Sequence, residues 1–220
     1  SFIISRDPFR AVRRGRQLFQ RKFTLVEGQG SLASDGRGDV GTNLAIGAGM
    51  TDSCAACHGR PRGAAGVGGD VATRPDSRDA PHLFGLGLKE MLADEITRDL
   101  RDLRAQALAA ARSANAPAEA VLTSKGIYYG KLVALPDGTV DASGVTGVDP
   151  DLRVRPFFAH GGKISIREFV VGALNDEMGL QAVDPELAAA KAGGRKVTPS
   201  GMVLGGSLDR LESPPATRAD

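Results

Sequence analysis

The sequence predicts a mainly α fold enlarged by long Gly/Pro-rich loops, one long helix and a small β-hairpin. Three observations predict it. Apolar residues recur at three- and four-residue spacing across 88–115, the signature of a helix with one buried face. The 29 glycines and 12 prolines gather between the periodic segments, where they favour irregular backbone. Only the stretch around 127–141 combines β-branched and aromatic residues with turn formers in the manner of paired strands. At 220 residues the chain is long enough to bury a core. With no Trp and only 5% aromatic residues, that core must be built mostly from Leu, Val, Ala and Ile, and the Gly/Pro-rich loops leave volume that a cofactor could fill.

In chain order, Asp7-Pro8 gives an N-cap followed by a first-turn proline, and Phe9, Val12, Leu18 and Phe19 fall close to a helical stripe. The first helix is therefore placed from about Pro8 to Lys22. Residues 27–52 read as a long loop, and 59–81 as irregular backbone wrapping whatever lies between them. Apolar residues at 88, 92, 96, 100, 103 and 107 then define the long helix, with Met91 close to its stripe and Pro117 beyond its end. Ile127–Val133 and Thr139–Asp141, joined around Pro136-Asp137-Gly138, form the expected hairpin, placed at the periphery. Ser165-Ile166-Arg167-Glu168 is a capping box, so a short helix carrying Ile166, Phe169, Val170 and Ala173 starts there. Asp184-Pro185 starts another, which stops at Gly193-Gly194. These elements suggest one domain over 1–205, with the helix and hairpin as an insertion at about 88–145. Residues 206–220 read as a linker or cut tail of a larger parent protein.

The 28 basic and 26 acidic residues are spread along the chain, so the composition argues against a nucleic-acid partner. Arg10, Arg13, Arg14 and Arg16 cluster on the first helix and read as a solvated face. No apolar run reaches the length of a membrane span, and the first residues lack the pattern of a signal peptide.

One motif carries chemistry. Cys54-Ala55-Ala56-Cys57-His58 has the spacing of a c-type haem attachment site. Two residues between the thiols let one helical turn set both sulfurs beside the vinyl groups of a single porphyrin, and the next residue turns its imidazole under the iron. Three other readings of the pair are weaker. A structural zinc site needs a second pair of ligands, and the chain has no other cysteines. A redox dithiol calls for a strand before it and a helix after it, whereas this pair lies between Gly-rich segments. A disulfide across two residues is strained. The expected cofactor is one covalent haem c held by Cys54 and Cys57, with His58 as proximal iron ligand. Because attachment follows export in bacteria, the expected compartment is the periplasm. The sixth iron position separates an electron carrier, closed by Met or His, from an open reactive iron. Candidates are Met178, His160 and His82, with Met50, Met91 and Met202 ranked below them.

Four segments resemble the bacterial di-haem cytochrome c peroxidases and their relatives, including the di-haem thiol oxidoreductases. Gly15-Arg16-Gln17-Leu18-Phe19 is similar to the opening helix of a cytochrome c domain, and Ser53 to His58 to the attachment site. Arg78-Asp79-Ala80-Pro81-His82 and the Leu83–Leu88 stretch after it resemble the Arg-x-x-Pro segment that follows the haem. Pro156-Phe157-Phe158-Ala159-His160-Gly161-Gly162, with Glu177-Met178-Gly179 further on, resembles the family's aromatic–Asp–Gly–Arg stretch ending in Glu-Met-Gly.

The resemblance implies a cytochrome c-like core and the substrate-side haem domain of an oxidoreductase. In that role the domain reduces hydrogen peroxide or a related small oxidant with electrons from a second haem. It assigns Glu177 the part of acid–base catalyst, relaying a proton between the two peroxide oxygens. The electron donor is a partner protein or a second haem domain, because these residues hold one attachment motif and the family has two. Two departures bear on the distal side: residues 59–81 contain no His, and Ala159 stands where the family has a distal Trp. The alternative is an electron-transfer cytochrome with a six-coordinate haem, closed by Met178, His160 or His82.

Overall fold

A computed structural model of the chain describes residues 6–23, 53–59, 80–158, 161–176, 178, 180, 182–198, 201 and 203–205. The loop expected at 27–52 and most of that at 59–81 lie outside the described residues. Five helices are seen among the described residues: α1 (Pro8–Gln20), α2 (Cys54–His58), α3 (Leu86–Ala114), α4 (Ile166–Asp176) and α5 (Pro185–Lys191). The strands are β1 (Ala118–Ser124), β2 (Ile127–Ala134), β3 (Val140–Asp141), β4 (Arg195–Val197) and β5 (Val203–Gly205).

The fold is mixed α/β, which corrects the expectation of a mainly α, cytochrome c-like domain with a peripheral hairpin. β1, β2 and β3 form an antiparallel sheet in that order, and β4 pairs with β5. The expected hairpin exists as β2 and β3, with Val133 opposite Asp141 and Ala134 opposite Val140. Its turn is closed by Asp137, whose carboxylate accepts from the Thr139 backbone N–H at 2.8 Å. The unexpected strand is β1, which runs from Ala118 opposite Ala134 to Ser124 opposite Ile127. Lys125 and Gly126 alone connect it to β2, at φ of 51° and 77°. Two consecutive positive φ values make a tight hairpin turn whose twist matches that of the strands. Lysine is an uncommon choice for the first of these positions, so the turn is inconspicuous in the sequence.

This sheet is central to packing. The core joins Ile96, Leu100, Ala107 and Ala111 of α3 to Leu122 of β1, to Tyr129, Leu132 and Ala134 of β2, and to Leu152. Leu100, Leu122, Leu132 and Leu152 are fully buried, each worth about 1.5–3 kcal/mol of apolar transfer. The α3 stripe is buried from Ile96 onward only. Leu88, Met91 and Leu92, nearer its start, are exposed, so Met91 is not the core residue its spacing suggested. Gly130 lets β2 pass close to the loop after β3. Its φ is +82°, and a Cβ there would collide with the Gly144 carbonyl oxygen. That same oxygen accepts the Lys131 N–H at 3.0 Å.

A buried charged group ties α3 to the segments around it. Arg153 and Asp94, each 1% exposed, pair through Nη2 and Oδ1 at 2.9 Å. The other Asp94 oxygen, Oδ2, accepts the Thr198 hydroxyl at 2.8 Å. Thr97 accepts the Val154 N–H at 3.0 Å and donates to the Ala93 carbonyl at 2.7 Å, which keeps the Arg153 strand of chain against the helix.

Glu90, one turn before Asp94, is buried as well. Burial pushes its carboxyl up and the neighbouring Asp94 adds to the shift, against a hydrogen bond from the Ile166 backbone and the charge of Arg153. A carboxyl raised in the folded state contributes fully below its unfolded pKa, about 4.3, and loses that contribution as pH rises through the folded value. Glu90→Gln, which carries no such charge, is expected to match wild type in stability near pH 4 and to exceed it at pH 8. Urea titrations at the two pH values measure the difference; an advantage that shrinks as pH rises would contradict it.

The two later helices start at the caps the sequence indicates. In α4, the Glu168 N–H donates to Ser165 Oγ at 3.1 Å, and the Glu168 carboxylate accepts the Ile164 N–H at 3.0 Å. In α5, the Asp184 carboxylate accepts from Glu186 and Leu187 at 2.9 and 3.2 Å. The chain divides into two compact units. One takes in Ser1–Gly85 and Val170–Val183, and the other Leu86–Phe169 and Asp184–Ala216. α1, α2 and the last seven residues of α4 belong to the first.

Candidate functional site

Cys54 and Cys57 lie on α2, a helix of five residues that also holds His58 at its end. Ser53 is buried and extended before it, with φ of −158° and ψ of 152°, and Gly59 follows it. Gly59 is required by packing, because a Cβ there would strike the Ala55 carbonyl oxygen. Without a side chain at 59 the backbone can turn away directly after His58, which keeps both thiols and the imidazole on one short helix. α1 neighbours this helix.

Both cysteines are present as thiols and are partly buried. Burial pushes the Cys54 thiol up, and Cys57 beside it adds to the shift while a backbone hydrogen bond opposes it. A thiol held neutral is a poor nucleophile, which counts against redox-dithiol chemistry for the bare pair. Among the described residues, no group of three or more His, Cys, Asp or Glu is placed to hold a metal ion, so the structural-zinc reading gains nothing.

The partner that folding brings to this helix is Met178. Its side chain is 2% exposed, and its sulfur lies 4.0 Å from Cys54 Sγ, although 124 residues separate them in sequence. Met178 follows α4 in a turn fixed by its own backbone N–H, which donates to the Ala173 carbonyl at 3.2 Å. The Leu180 N–H donates to the Leu174 carbonyl at 2.8 Å. Asn175 ties down the next stretch, its side chain donating to the Ala182 carbonyl at 3.2 Å and accepting the Ala182 N–H at 2.8 Å. These bonds tie Met178, Leu180 and Ala182 to the end of α4.

Of the sequence-derived candidates, Cys54, Cys57, His58 and Met178 are therefore gathered in one unit, with Met178 directly against Cys54. His82 is exposed on the segment before α3. Glu177 and His160, like Met50 and Met202, lie outside the described residues. The donor set suits haem c: two thiols within one helical turn, an imidazole next to the second, and a soft thioether reaching the same turn from elsewhere in the chain. No helix among the described residues is long and apolar enough to cross a membrane. Compared with family models, curated proteins and solved structures, the chain matches none.

Proposed function

We propose that this chain is a c-type haem redox domain of an exported, periplasmic oxidoreductase, and that it passes electrons between its haem and a second haem or partner protein. The observation that carries the reading is the contact of Met178 with Cys54, because it sets a buried thioether beside the attachment turn. In this reading Cys54 and Cys57 would anchor the porphyrin as thioethers, and His58 and Met178 would hold its iron. Haem c, when bound, supplies one-electron exchange. A covalent anchor retains the group without a large aromatic pocket, in keeping with a chain that has no Trp. A buried thioether on a hydrogen-bonded turn keeps a soft ligand in place and excludes water from that side, which favours the reduced state and electron transfer over reaction with small oxidants.

A second reading rests on the residue before Met178. Glu177 precedes the ligand candidate directly in sequence, as the resemblance to peroxidases requires of its acid–base residue. There the domain reduces hydrogen peroxide or a related oxidant, and Glu177 moves a proton between its two oxygens.

Optical and EPR spectra of the haem-loaded ferric protein separate the two. The electron-transfer reading predicts a purely low-spin signal that turns high-spin in Met178→Ala, together with a fall in reduction potential. Spectra and potential unchanged by that substitution would sink it. Peroxide turnover that is lost in Glu177→Gln would establish the second reading instead.

A further inference from the structure

α1 begins at a sharp cap, with the Asp7 carboxylate accepting the Arg10 N–H at 2.9 Å, and runs for 13 residues. Around it, residues 6–22 hold seven basic side chains and a single acidic one, Asp7, which is the cap itself. The whole chain has a net charge of only +2, so this segment is strongly basic on an otherwise acidic molecule. At 100° per residue, Arg10, Arg13 and Arg14 share one face, while Phe9, Val12 and Phe19 share the face roughly opposite. The structure buries neither. No residue of α1 is fully buried, Phe9 is 81% exposed and Val12 71%. A solvated basic face explains the arginines. It does not explain three large apolar side chains, Phe9, Val12 and Leu18, left open beside them.

We propose that α1 is an interfacial helix that docks the protein on an anionic phospholipid surface. A short amphipathic helix, apolar on one side and Arg-rich on the other, lies in the plane of the headgroups with its apolar side among the upper acyl chains. The charge of the partner follows from the charge of the helix. Each Arg or Lys near an anionic leaflet is drawn to it, and the attraction fades within a Debye length as salt is added. Arg16, which falls on the apolar side between Phe9 and Val12, has a stem long enough to carry its guanidinium up to the phosphates. The helix would lie on the membrane and not cross it.

The test is flotation of the haem-loaded protein with vesicles of phosphatidylcholine containing phosphatidylglycerol, beside vesicles of phosphatidylcholine alone. Binding to the mixed vesicles at physiological salt is expected, at least about tenfold stronger than to the neutral ones. Arg13→Glu/Arg14→Glu is expected to weaken it by more than about a hundredfold, a change of four charges at the surface. Val12→Glu is expected to weaken it by about tenfold or more while leaving the melting temperature unchanged. Binding that survives Val12→Glu would reveal adsorption by charge alone and overturn the proposal. So would a wild-type protein that does not float. In that case a melting temperature lowered by Val12→Glu identifies the chain's own segments as the cover, and a dimer dissociated by it on gel filtration identifies a second copy.

Discussion

Arg153→Met is expected to cost the protein about 3–5 kcal/mol of stability. The reason is what remains behind. Asp94 is as deeply buried as Arg153, and Thr198, which also donates to it, supplies a hydroxyl and no charge. Removing the guanidinium takes a buried cation away from a carboxylate in the interior, beside Glu90, a second buried carboxyl. The double variant Asp94→Leu/Arg153→Met removes both charges and is expected to regain most of the loss, since a buried pair exchanged for apolar groups of similar volume is often close to neutral. Urea denaturation of the single and double variants checks both statements. An Arg153→Met variant within about 1 kcal/mol of wild type would show that the pair does not tie α3 to the segments around it.

Local chemistry made the helices legible in the sequence. The Asp7, Ser165 and Asp184 caps and the Pro8 and Pro185 first-turn prolines act over three or four residues, so the starts of α1, α4 and α5 could be read directly. Long-range chemistry was hidden. β1 lies in an alanine-rich stretch just after Pro117, and its turn to β2 uses a lysine, so the sheet that completes the core was placed at the edge as a single hairpin. Leu88, Met91 and Leu92 have the right spacing for a core face and are nevertheless exposed, because periodicity shows which residues share a face and not what covers it. The burial of Glu90 and Asp94 left no trace: with Thr97 they fall on a polar side of the helix, away from the apolar stripe. Arg153, which pairs with Asp94, lies 59 residues from it.

The site divides in the same way. Cys54, Cys57 and His58 form a motif readable at a glance, whereas nothing in the sequence ranks Met178 above His82 or His160. The fold separates two of these three: Met178 packs against Cys54, and His82 is exposed.

The expected result with the greatest bearing on function is all-or-none. A chain exported in a bacterial host that matures c-type cytochromes is expected to carry one haem that survives denaturation, because two thioether bonds do not depend on the fold. Cys54→Ala/Cys57→Ala is expected to carry none. Either single cysteine variant retains one possible bond and is expected to load poorly. His58→Ala removes the proximal ligand from the end of α2 and is expected to abolish stable loading although both thiols remain. The cysteine and histidine variants thus separate the anchoring of the porphyrin from the ligation of its iron.

The most direct measurement is the mass of the denatured protein after such expression. The account predicts the mass of the polypeptide plus one haem, falling to that of the polypeptide alone in Cys54→Ala/Cys57→Ala. The polypeptide mass alone for the wild-type chain, in a culture that loads a control cytochrome c, would contradict it.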